Sequence, residues 1–347
     1  MLSRFVRSRS AESAKIKPTM SGGNGHRQFP TEVTVEPIGV RIQIPPPYGP
    51  PQRDYRSAAI AAVLFVLTVF STLAVGTEFA AAYQANSAPF TNGSIFPYAA
   101  VLHHPALLLT GLPFAFTLMG ILLAHELGHF FACRYYRIPA SYPYFIPAPT
   151  LIGTLGAFIR IRAPIINRKA LFDVGLAGPV VGFLFALPAL AGAIAVSKVV
   201  PGAQSQGWLL FGNPPLVKLL EAVLRPNVRS GDLLLNPVGR AAWVGLFVTA
   251  LNLLPASQLD GGHIVYALAS EKHRLLSLLV VIALVPMSWL WSGWLLWAVL
   301  LLLIGFRHPP LLDRWDPLDA KRRFWAVIAL VIFLLCFTPI PFSVHLG

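Results

Sequence analysis

The chain has 347 residues, of which 55% are hydrophobic and only 12% are charged. A soluble globular protein carries about 25% charged residues, so this composition excludes a soluble globule. The same high hydrophobic content and low charged content also exclude a coiled coil and a wholly disordered chain. The apolar residues also lie in long blocks, as transmembrane helices require. We therefore predict an integral membrane protein, with the lipid bilayer as its first partner.

The net charge is +13, because 27 Lys and Arg residues stand against 14 Asp and Glu residues. In a soluble protein this balance would suggest nucleic acid as a partner. In a membrane protein, basic residues collect in the loops on the cytoplasmic side. We interpret the charge as a signal of membrane topology and expect no nucleic-acid partner.

Residues 1–57 differ in composition from the rest of the chain, since they are rich in Arg and Lys and contain three consecutive prolines at 45–47. No apolar block in this segment is long enough for a core or for a signal peptide. The composition predicts a disordered basic tail on the cytoplasmic side, followed by a transmembrane domain over residues 58–347. A transit peptide and a true start at Met20 are alternative interpretations of the first residues.

The apolar blocks after residue 57 predict an all-α protein that crosses the bilayer several times. The predicted spans are 58–82, 106–135, 171–196, 237–255 and 324–341. Between the third and the fourth span, residues 216–225 have the pattern of a short amphipathic helix.

One further apolar block, 275–305, is interrupted near its middle by Pro286 and forms either one long helix or a hairpin of two short helices. The hairpin places the basic segments 134–169, 271–274 and 307–323 on the same side as the N-terminal tail. A single helix would move the last of these segments to the other side. The positive-inside rule therefore favours the hairpin and a cytoplasmic N-terminus. The choice decides between six and seven transmembrane helices.

Residues 141–162, between the second and third predicted spans, are rich in Pro, Gly and aromatic residues. This composition is typical of an extended chain or a β-hairpin and disfavours a helix. An ordinary cytoplasmic loop is the alternative interpretation.

The strongest chemical signal is the sequence His125-Glu126-Leu127-Gly128-His129, inside the second predicted span. Residues four apart lie on one face of a helix, so both imidazoles can reach a single metal ion. Glu126 projects beside them and can accept a proton, as in the H-E-x-x-H motif of zinc proteases. The alternative is a set of buried, paired polar groups, which would be costly in an apolar span without a function.

A catalytic zinc ion needs a third protein ligand and one open position. Three acidic residues next to apolar sequence are candidates: Glu78, Asp173 and Asp260. Glu78 lies near the end of its span, and Asp173 can instead cap a helix. Asp260 lies between Pro255 and two glycines, and irregular backbone at membrane depth is tolerated only where it lines a cavity. We predict Asp260 as the third ligand, with an ordinary turn aspartate as the alternative.

Together these motifs resemble the site-2 protease family of intramembrane zinc metalloproteases. The resemblance rests on His125-Glu126-Leu127-Gly128-His129 and on Asn252, Pro255 and Leu259-Asp260-Gly261. It extends over residues 106–270, the expected catalytic core. The stretches 153–158 and 172–179 are most similar to the plastid and bacterial branch that has no PDZ domain.

The resemblance implies a role for each residue of the motifs. His125, His129 and Asp260 would bind one zinc ion per chain, and Glu126 would be the general base. Asn252 matches a family asparagine that binds the substrate backbone or the oxyanion. A hydrogen bond between two helices is an equally good interpretation of Asn252.

The resemblance also implies that residues 141–162 form a β-hairpin that enters the membrane. A peptide bond in a helix must unwind before hydrolysis, because its carbonyl group is hydrogen-bonded and shielded. An edge strand of the hairpin can receive the extended peptide by β-augmentation. We predict Gly153, Thr154, Leu155 and Gly156 as substrate-binding residues, since the two glycines allow close backbone approach.

The expected function is intramembrane zinc endopeptidase activity on transmembrane segments of other membrane proteins, as in regulated intramembrane proteolysis. A non-proteolytic partner protein of the same fold and a metal transporter are the alternatives. Glu126 argues against the first, and the clustering of polar residues at one depth argues against the second. The expected location is a bacterial cytoplasmic membrane, or a plastid membrane in a eukaryote, with the site towards the cytoplasm. No pattern in the sequence predicts the substrate or the oligomeric state.

Overall fold

The computed structural model describes residues 16–19, 32–35, 40–43, 55–87, 89–90, 98–165, 167–202, 209–229, 231–306, 308–309, 311 and 317–344. Within these residues the chain is mostly helical. It divides into two units, Met1–Arg53 and Asp54–Gly347. All the predicted site residues belong to the second unit.

The first unit contains three short strands: β1 (Ile16–Thr19), β2 (Glu32–Val35) and β3 (Val40–Gln43). They pair as an antiparallel sheet in the order β1-β2-β3. The composition of residues 1–57 predicts no regular structure, so these strands differ from that expectation. Most of the segment lies outside the described residues, and the disordered tail stays a prediction.

The second unit is a bundle of helices with several pairs of short strands. Its described helices are α1 (Tyr55–Gln84), α2 (Tyr98–His103), α3 (Leu112–Tyr135), α4 (Arg168–Val196), α5 (Pro215–Leu224), α6 (Pro237–Asn252), α7 (Asp260–Met287), α8 (Gly293–Ile304) and α9 (Ala320–Cys336). A 3-10 helix, Pro105–Gly111, leads directly into α3. The predicted amphipathic helix at 216–225 corresponds to α5.

The strands of the second unit pair in an antiparallel manner. The described pairs are β4 (Tyr144–Pro147) with β5 (Thr154–Phe158), β6 (Lys198–Val199) with β8 (Leu233–Leu234), and β7 (Leu209–Phe211) with β9 (Phe342–Val344). The β7–β9 pair joins the segment before α5 to the segment after α9.

Three helical segments are long and apolar enough to cross a membrane: Tyr55–Gln84, Pro105–Tyr135 and Arg168–Val196. They coincide with the first three predicted spans. Large apolar side chains point outwards from them, such as Val66 on α1 and Phe116 on α3, as a lipid environment requires. The prediction of a membrane protein is confirmed, while the number of further crossings stays a prediction.

The apolar block 275–305 forms two helices, because α7 ends at Met287 and α8 begins at Gly293. The break directly follows Pro286, as the hairpin interpretation requires. A second irregularity lies earlier in α7, where Ala269 has a non-helical φ of −147°. This bend separates the first turns of α7, which begin at Asp260, from the part that packs against α8.

Within residues 141–162, β4 and β5 form a β-hairpin in which Tyr144 is paired with Phe158. Gly153 supplies the left-handed backbone of the turn, with a φ of +83° that a residue with a Cβ rarely adopts. The hairpin packs against α1, where Ser71 Oγ donates a hydrogen bond to the Gly153 carbonyl oxygen at 2.5 Å. The predicted hairpin is therefore present, and its entry into the membrane stays a prediction.

The core of the bundle lies between α3, α4 and α6. Almost every side chain of α6 from Gly239 to Leu251 is buried. The helices α3 and α4 approach closely, since a Cβ atom at Gly128 would lie only 2.6 Å from the Ala177 carbonyl oxygen. Small residues at such contacts are typical of helix packing in membranes. The contact brings the second half of α3 against the first half of α4, where the candidate site lies.

Candidate metal centre

The three predicted metal ligands converge, although they come from helices far apart in the sequence. His125 and His129 lie on α3, and Asp260 is the first residue of α7. The Asp260 Oδ2 atom lies 3.2 Å from His125 Nε2 and 3.3 Å from His129 Nε2, and the two Nε2 atoms are 3.1 Å apart. Within the described part of the chain, this is the one group of three or more His, Cys, Asp or Glu side chains with ligand atoms within 4.8 Å of one another.

The spacing of these three atoms suits a zinc ion. Zinc binds nitrogen and oxygen ligands tetrahedrally at about 2.0–2.2 Å, which sets neighbouring ligand atoms roughly 3.3–3.6 Å apart. The observed separations of 3.1–3.3 Å are close to that range. Two imidazoles and one carboxylate also leave a fourth position open, as a catalytic zinc requires.

A carbonyl group of α4 orients one of the ligands. The Nδ1 atom of His129 lies 2.7 Å from the Val174 carbonyl oxygen. A carbonyl oxygen can only accept, so Nδ1 carries the proton and donates. The Nε2 atom of the neutral ring is then unprotonated and directed to Asp260, the arrangement expected of a metal-binding histidine.

Two glycines of α4 make room for the ligand side chains. A Cβ atom at Gly178 would overlap the His129 ring, and one at Gly182 would lie 3.0 Å from His125 Nδ1. α4 provides none of the three predicted ligands, but its surface decides whether the two imidazoles fit.

A tight turn between α6 and α7 delivers Asp260. Ser257 in this turn adopts a left-handed φ of +55°. A Cβ atom at Gly261 would overlap the Leu253 carbonyl group, and one at Gly262 would overlap the Ser257 carbonyl oxygen. The two glycines after Asp260 thus allow the turn to fold onto the start of α7.

Both predicted catalytic side chains lie at the ligand group. Glu126 follows His125 on α3 and is only 4% exposed, and the backbone of Ile159 approaches its carboxylate. Asn252, the last residue of α6, places Nδ2 3.3 Å from His125 Nε2. The structure brings these residues together, while their catalytic roles stay predictions.

The predicted substrate-binding residues lie in the turn of the hairpin and in β5. Thr154 is buried, and its Oγ1 donates to the Ile146 carbonyl oxygen at 2.8 Å. Leu155 is 69% exposed, and a Cβ atom at Gly156 would meet no atom within 4 Å. β5 pairs with β4 along one edge, and its other edge pairs with no strand among the described residues. The edge of β5 opposite β4 is therefore free of any described strand.

The two other acidic candidates for the third ligand are engaged elsewhere. Asp173 forms a salt bridge with Arg322 of α9, with 2.5 Å between Oδ2 and Nη2, and accepts a hydrogen bond from the Tyr136 hydroxyl. Burial and this hydrogen bond raise the pKa of Tyr136 to about 12. Glu78 accepts a hydrogen bond from the backbone N–H of Phe90 at 3.1 Å. Neither carboxylate belongs to the ligand group.

The pairing of two histidines beside the site was not predicted from the sequence. His263, one turn after Asp260, has its Nδ1 atom 2.8 Å from His308 Nε2. The His308 ring stacks on Tyr266 with 4.1 Å between ring centres. This pair holds the connection between α8 and α9 against the start of α7. A contact between residues so far apart leaves no periodic pattern that a single sequence could reveal.

One protein family matches a part of the chain that includes the whole of this site. A family model described as peptidase family M50 matches residues 113–288. This range begins at the start of α3 and ends just after α7, so it contains every residue predicted for the site.

Several curated plant proteins are similar to the chain. "Probable zinc metalloprotease EGY1, chloroplastic" of Arabidopsis thaliana is 32% identical over 307 residues, which are 81% of this chain and 53% of that protein. The protein of the same name from Oryza sativa subsp. japonica is 31% identical over 309 residues, 81% of this chain and 50% of that protein. "Probable zinc metalloprotease EGY2, chloroplastic" of Arabidopsis thaliana is 32% identical over 248 residues, 68% of this chain and 43% of that protein. The chain spans about half the length of these relatives.

Proposed function

The chain belongs to peptidase family M50, the site-2 protease family, and on that basis we propose that it is an intramembrane zinc endopeptidase. It would hydrolyse peptide bonds in or near transmembrane segments of other membrane proteins, as in regulated intramembrane proteolysis. One observation carries the proposal: His125, His129 and Asp260 converge within 4.8 Å, and both histidines lie on a helix apolar and long enough to cross a membrane. Such polar groups are costly in an apolar helix unless they have a function.

His125, His129 and Asp260 would hold one zinc ion per chain. A bound zinc ion lowers the pKa of a coordinated water molecule and polarises a carbonyl group. The Val174 carbonyl oxygen keeps the His129 ring in the tautomer that presents its Nε2 lone pair. The glycines of α4 keep the space for both rings free of side chains.

Glu126 would act first as a general base and then as a general acid. Its carboxylate takes a proton from the attacking water and delivers it to the nitrogen atom of the leaving peptide. Burial keeps this proton away from bulk solvent, since Glu126 is only 4% exposed. Asn252 would donate a hydrogen bond from Nδ2 to the carbonyl oxygen that gains negative charge.

The substrate would bind as an extended strand along the open edge of β5, at Gly153, Thr154, Leu155 and Gly156. This edge supplies backbone groups for β-augmentation, which holds the peptide in the unwound form that hydrolysis requires. The backbone of Ile159, directly after β5, approaches the Glu126 carboxylate. A peptide on this edge would therefore pass close to the proposed base.

We place the N-terminus and the active site on the cytoplasmic side of a membrane that the chain crosses six or seven times, with the hairpin dipping into it. The basic residues at the C-terminal end of α3, Arg134 in its last turn and Arg137 just after it, support this orientation. The names of the plant relatives favour a plastid membrane if the source is a eukaryote. A bacterial cytoplasmic membrane is the corresponding location in a bacterium.

Two other functions are less compatible with the site. A non-proteolytic partner of the same fold would have no need of Glu126 beside the ligand group. A metal transporter would need polar residues along a path through several helices, whereas the ligand group lies at one depth.

The direct test is cleavage of single-span reporter proteins by the purified full-length chain in liposomes. We expect the wild type to cut a reporter whose transmembrane segment contains helix-breaking residues, and Glu126→Gln to lose this activity while keeping about one zinc per chain. Glu78→Gln, which keeps its acceptor for Phe90, is the matched control on another apolar helix. Undiminished cleavage by Glu126→Gln would refute the mechanism, and zinc binding without any cleavage by the wild type would favour the non-proteolytic partner.

A further inference from the structure

Arg240 is buried at the end of α6 that lies away from the metal centre. It is twelve residues before Asn252 in α6, which corresponds to about 18 Å along the helix axis. Only 7% of its surface is exposed. Its guanidinium lies over the ring of Phe211, with Cζ 4.5 Å from the ring centre.

The guanidinium group of Arg240 has no polar partner in the described part of the chain, where it donates no hydrogen bond and forms no ion pair. It carries five N–H donors and does not give up its proton. The Phe211 ring attracts the positive charge of the guanidinium from one face. It accepts no hydrogen bond from the N–H groups, which point outwards in the plane of the guanidinium. A buried cation with unused donors is destabilising, so an acceptor beyond the described residues would stabilise the side chain. Access remains, because a small part of the residue is still exposed.

The first turn of α6 offers further positive charge at the same place. Side chains on a helix lean towards its N-terminus, so the Arg240 side chain is expected to extend towards this turn. Asn236 already caps the Gly239 N–H, and Pro237 has no N–H, so the Val238 N–H is left without an acceptor inside the helix. The turn is only half-buried and can be approached from outside. A helix N-terminus beside an arginine is suited to an oxyanion.

An exposed tryptophan in the turn between α7 and α8 indicates the depth of this end of α6, because the turn packs on the aromatic cluster around Phe211. Trp243 donates from Nε1 to the Gly212 carbonyl oxygen at 2.7 Å, next to Phe211. Trp291, in the turn between α7 and α8, packs on Phe342 of the same aromatic cluster. Trp289 in that turn is 91% exposed. Tryptophan is enriched at the membrane–water interface, which is the level of the lipid phosphate groups.

We propose that Arg240 and the first turn of α6 bind a phosphate oxyanion, supplied in the membrane by the headgroup of an anionic phospholipid. The planar guanidinium donates two parallel hydrogen bonds to two phosphate oxygens. The Val238 N–H donates a third, and the Phe211 ring supports the opposite face of the guanidinium. The bound headgroup ties α6 to the β7–β9 sheet. This site is independent of the proposed peptidase reaction.

The test measures the unfolding temperature of the full-length protein, purified in a detergent and a buffer that contain no phosphate. Short-chain phosphatidylglycerol, inorganic phosphate, sodium acetate and a short-chain galactolipid without phosphate are added separately. We expect saturating phosphatidylglycerol to raise the unfolding temperature of the wild type by roughly 3–5 °C, and the galactolipid to leave it unchanged. Arg240→Met removes the response. Arg229→Met keeps it, since Arg229 is exposed in the connection before α6.

Each outcome decides the proposal or the source of the phosphate. An equal shift with inorganic phosphate supports the phosphate site and identifies free phosphate as a sufficient ligand. A response to acetate alone, an equal response to the galactolipid, or an unchanged response in Arg240→Met would overturn the proposal. If Arg240→Met does not fold, Arg240→Lys takes its place: it keeps the charge but loses the planar fork, and needs roughly tenfold more phosphatidylglycerol for the same shift.

Discussion

The imidazole ring of His129 packs directly against Gly178 of α4, at a position where any side chain would overlap the ring. The same ring donates its Nδ1 hydrogen bond to the carbonyl group of Val174, one turn earlier on α4. A helix without any metal ligand therefore sets both the orientation of His129 and the space that it occupies.

We expect Gly178→Ala to weaken zinc binding. The added methyl group must push the His129 ring away from Asp260 or force α3 and α4 apart. Changes that disturb the surroundings of a metal ligand typically cost 10–100-fold in affinity, and we expect a loss of roughly that size. Zinc content after dialysis against graded concentrations of a chelator measures it.

Gly192→Ala on the same helix is the matched control, because a Cβ atom there meets nothing within 4 Å. It should bind zinc as the wild type does. If Gly178→Ala also kept the wild-type affinity, α4 would not determine the position of His129.

Removing the bound zinc ion should lower the stability of the folded protein, and this effect should depend on Asp260. A ligand present at a thousand times its dissociation constant contributes about 4 kcal/mol to the folded state. We therefore expect a chelator to lower the unfolding temperature of the wild type by roughly 5–10 °C. In Asp260→Asn, which keeps the side-chain shape but loses the charge, the chelator should have little effect. A chelator effect of full size in Asp260→Asn would mean that another residue completes the ligand set.

Asn252→Ala distinguishes two roles for the amide beside His125. If Nδ2 stabilises the negative carbonyl oxygen, kcat on a reporter substrate falls roughly 100–1000-fold, and zinc content is unchanged. If the amide only joins two helices, the unfolding temperature and zinc content fall instead, and the zinc-loaded fraction turns over normally. Thr249→Val, one turn earlier on α6, removes only the hydrogen bond to the Gly245 carbonyl oxygen and is the control.

The exposed side chain of Leu155 tests substrate binding at β5. Leu155→Ala removes apolar contact area from the strand edge, so kcat/KM should fall about tenfold, which corresponds to about 1.4 kcal/mol. Zinc content and stability should not change, because Leu155 is exposed in the free protein. Leu184→Ala, on an exposed position of α4, should leave kcat/KM unchanged. Equal effects of the two substitutions would argue against binding along β5.

Local sequence patterns predicted much of the fold. Long apolar stretches predicted the helices Tyr55–Gln84, Pro105–Tyr135 and Arg168–Val196, because the length of a span follows from the thickness of the bilayer. Pro and Gly predicted the β4–β5 hairpin, since they disfavour a helix over neighbouring residues. Pro286 similarly predicted the end of α7 near Met287. Short strands such as β7 and β9 were not predicted, because their pairing depends on segments far apart in the chain.

The sequence by itself determined that this is a membrane protein and that His125 and His129 share one helix face beside Glu126, since composition and a spacing of four residues are local properties. The sequence also favoured Asp260 as the third ligand, but only the tertiary structure shows that its carboxylate, and not that of Asp173, meets both imidazoles. Asp260 meets both imidazoles because the Gly261-Gly262 turn folds onto α6 and the glycines of α4 leave room for the rings. Asp173, equally acidic, is held by Arg322 from α9 instead. The choice between two carboxylates depends on which distant helix packs against each of them, and that information is distributed over the whole chain.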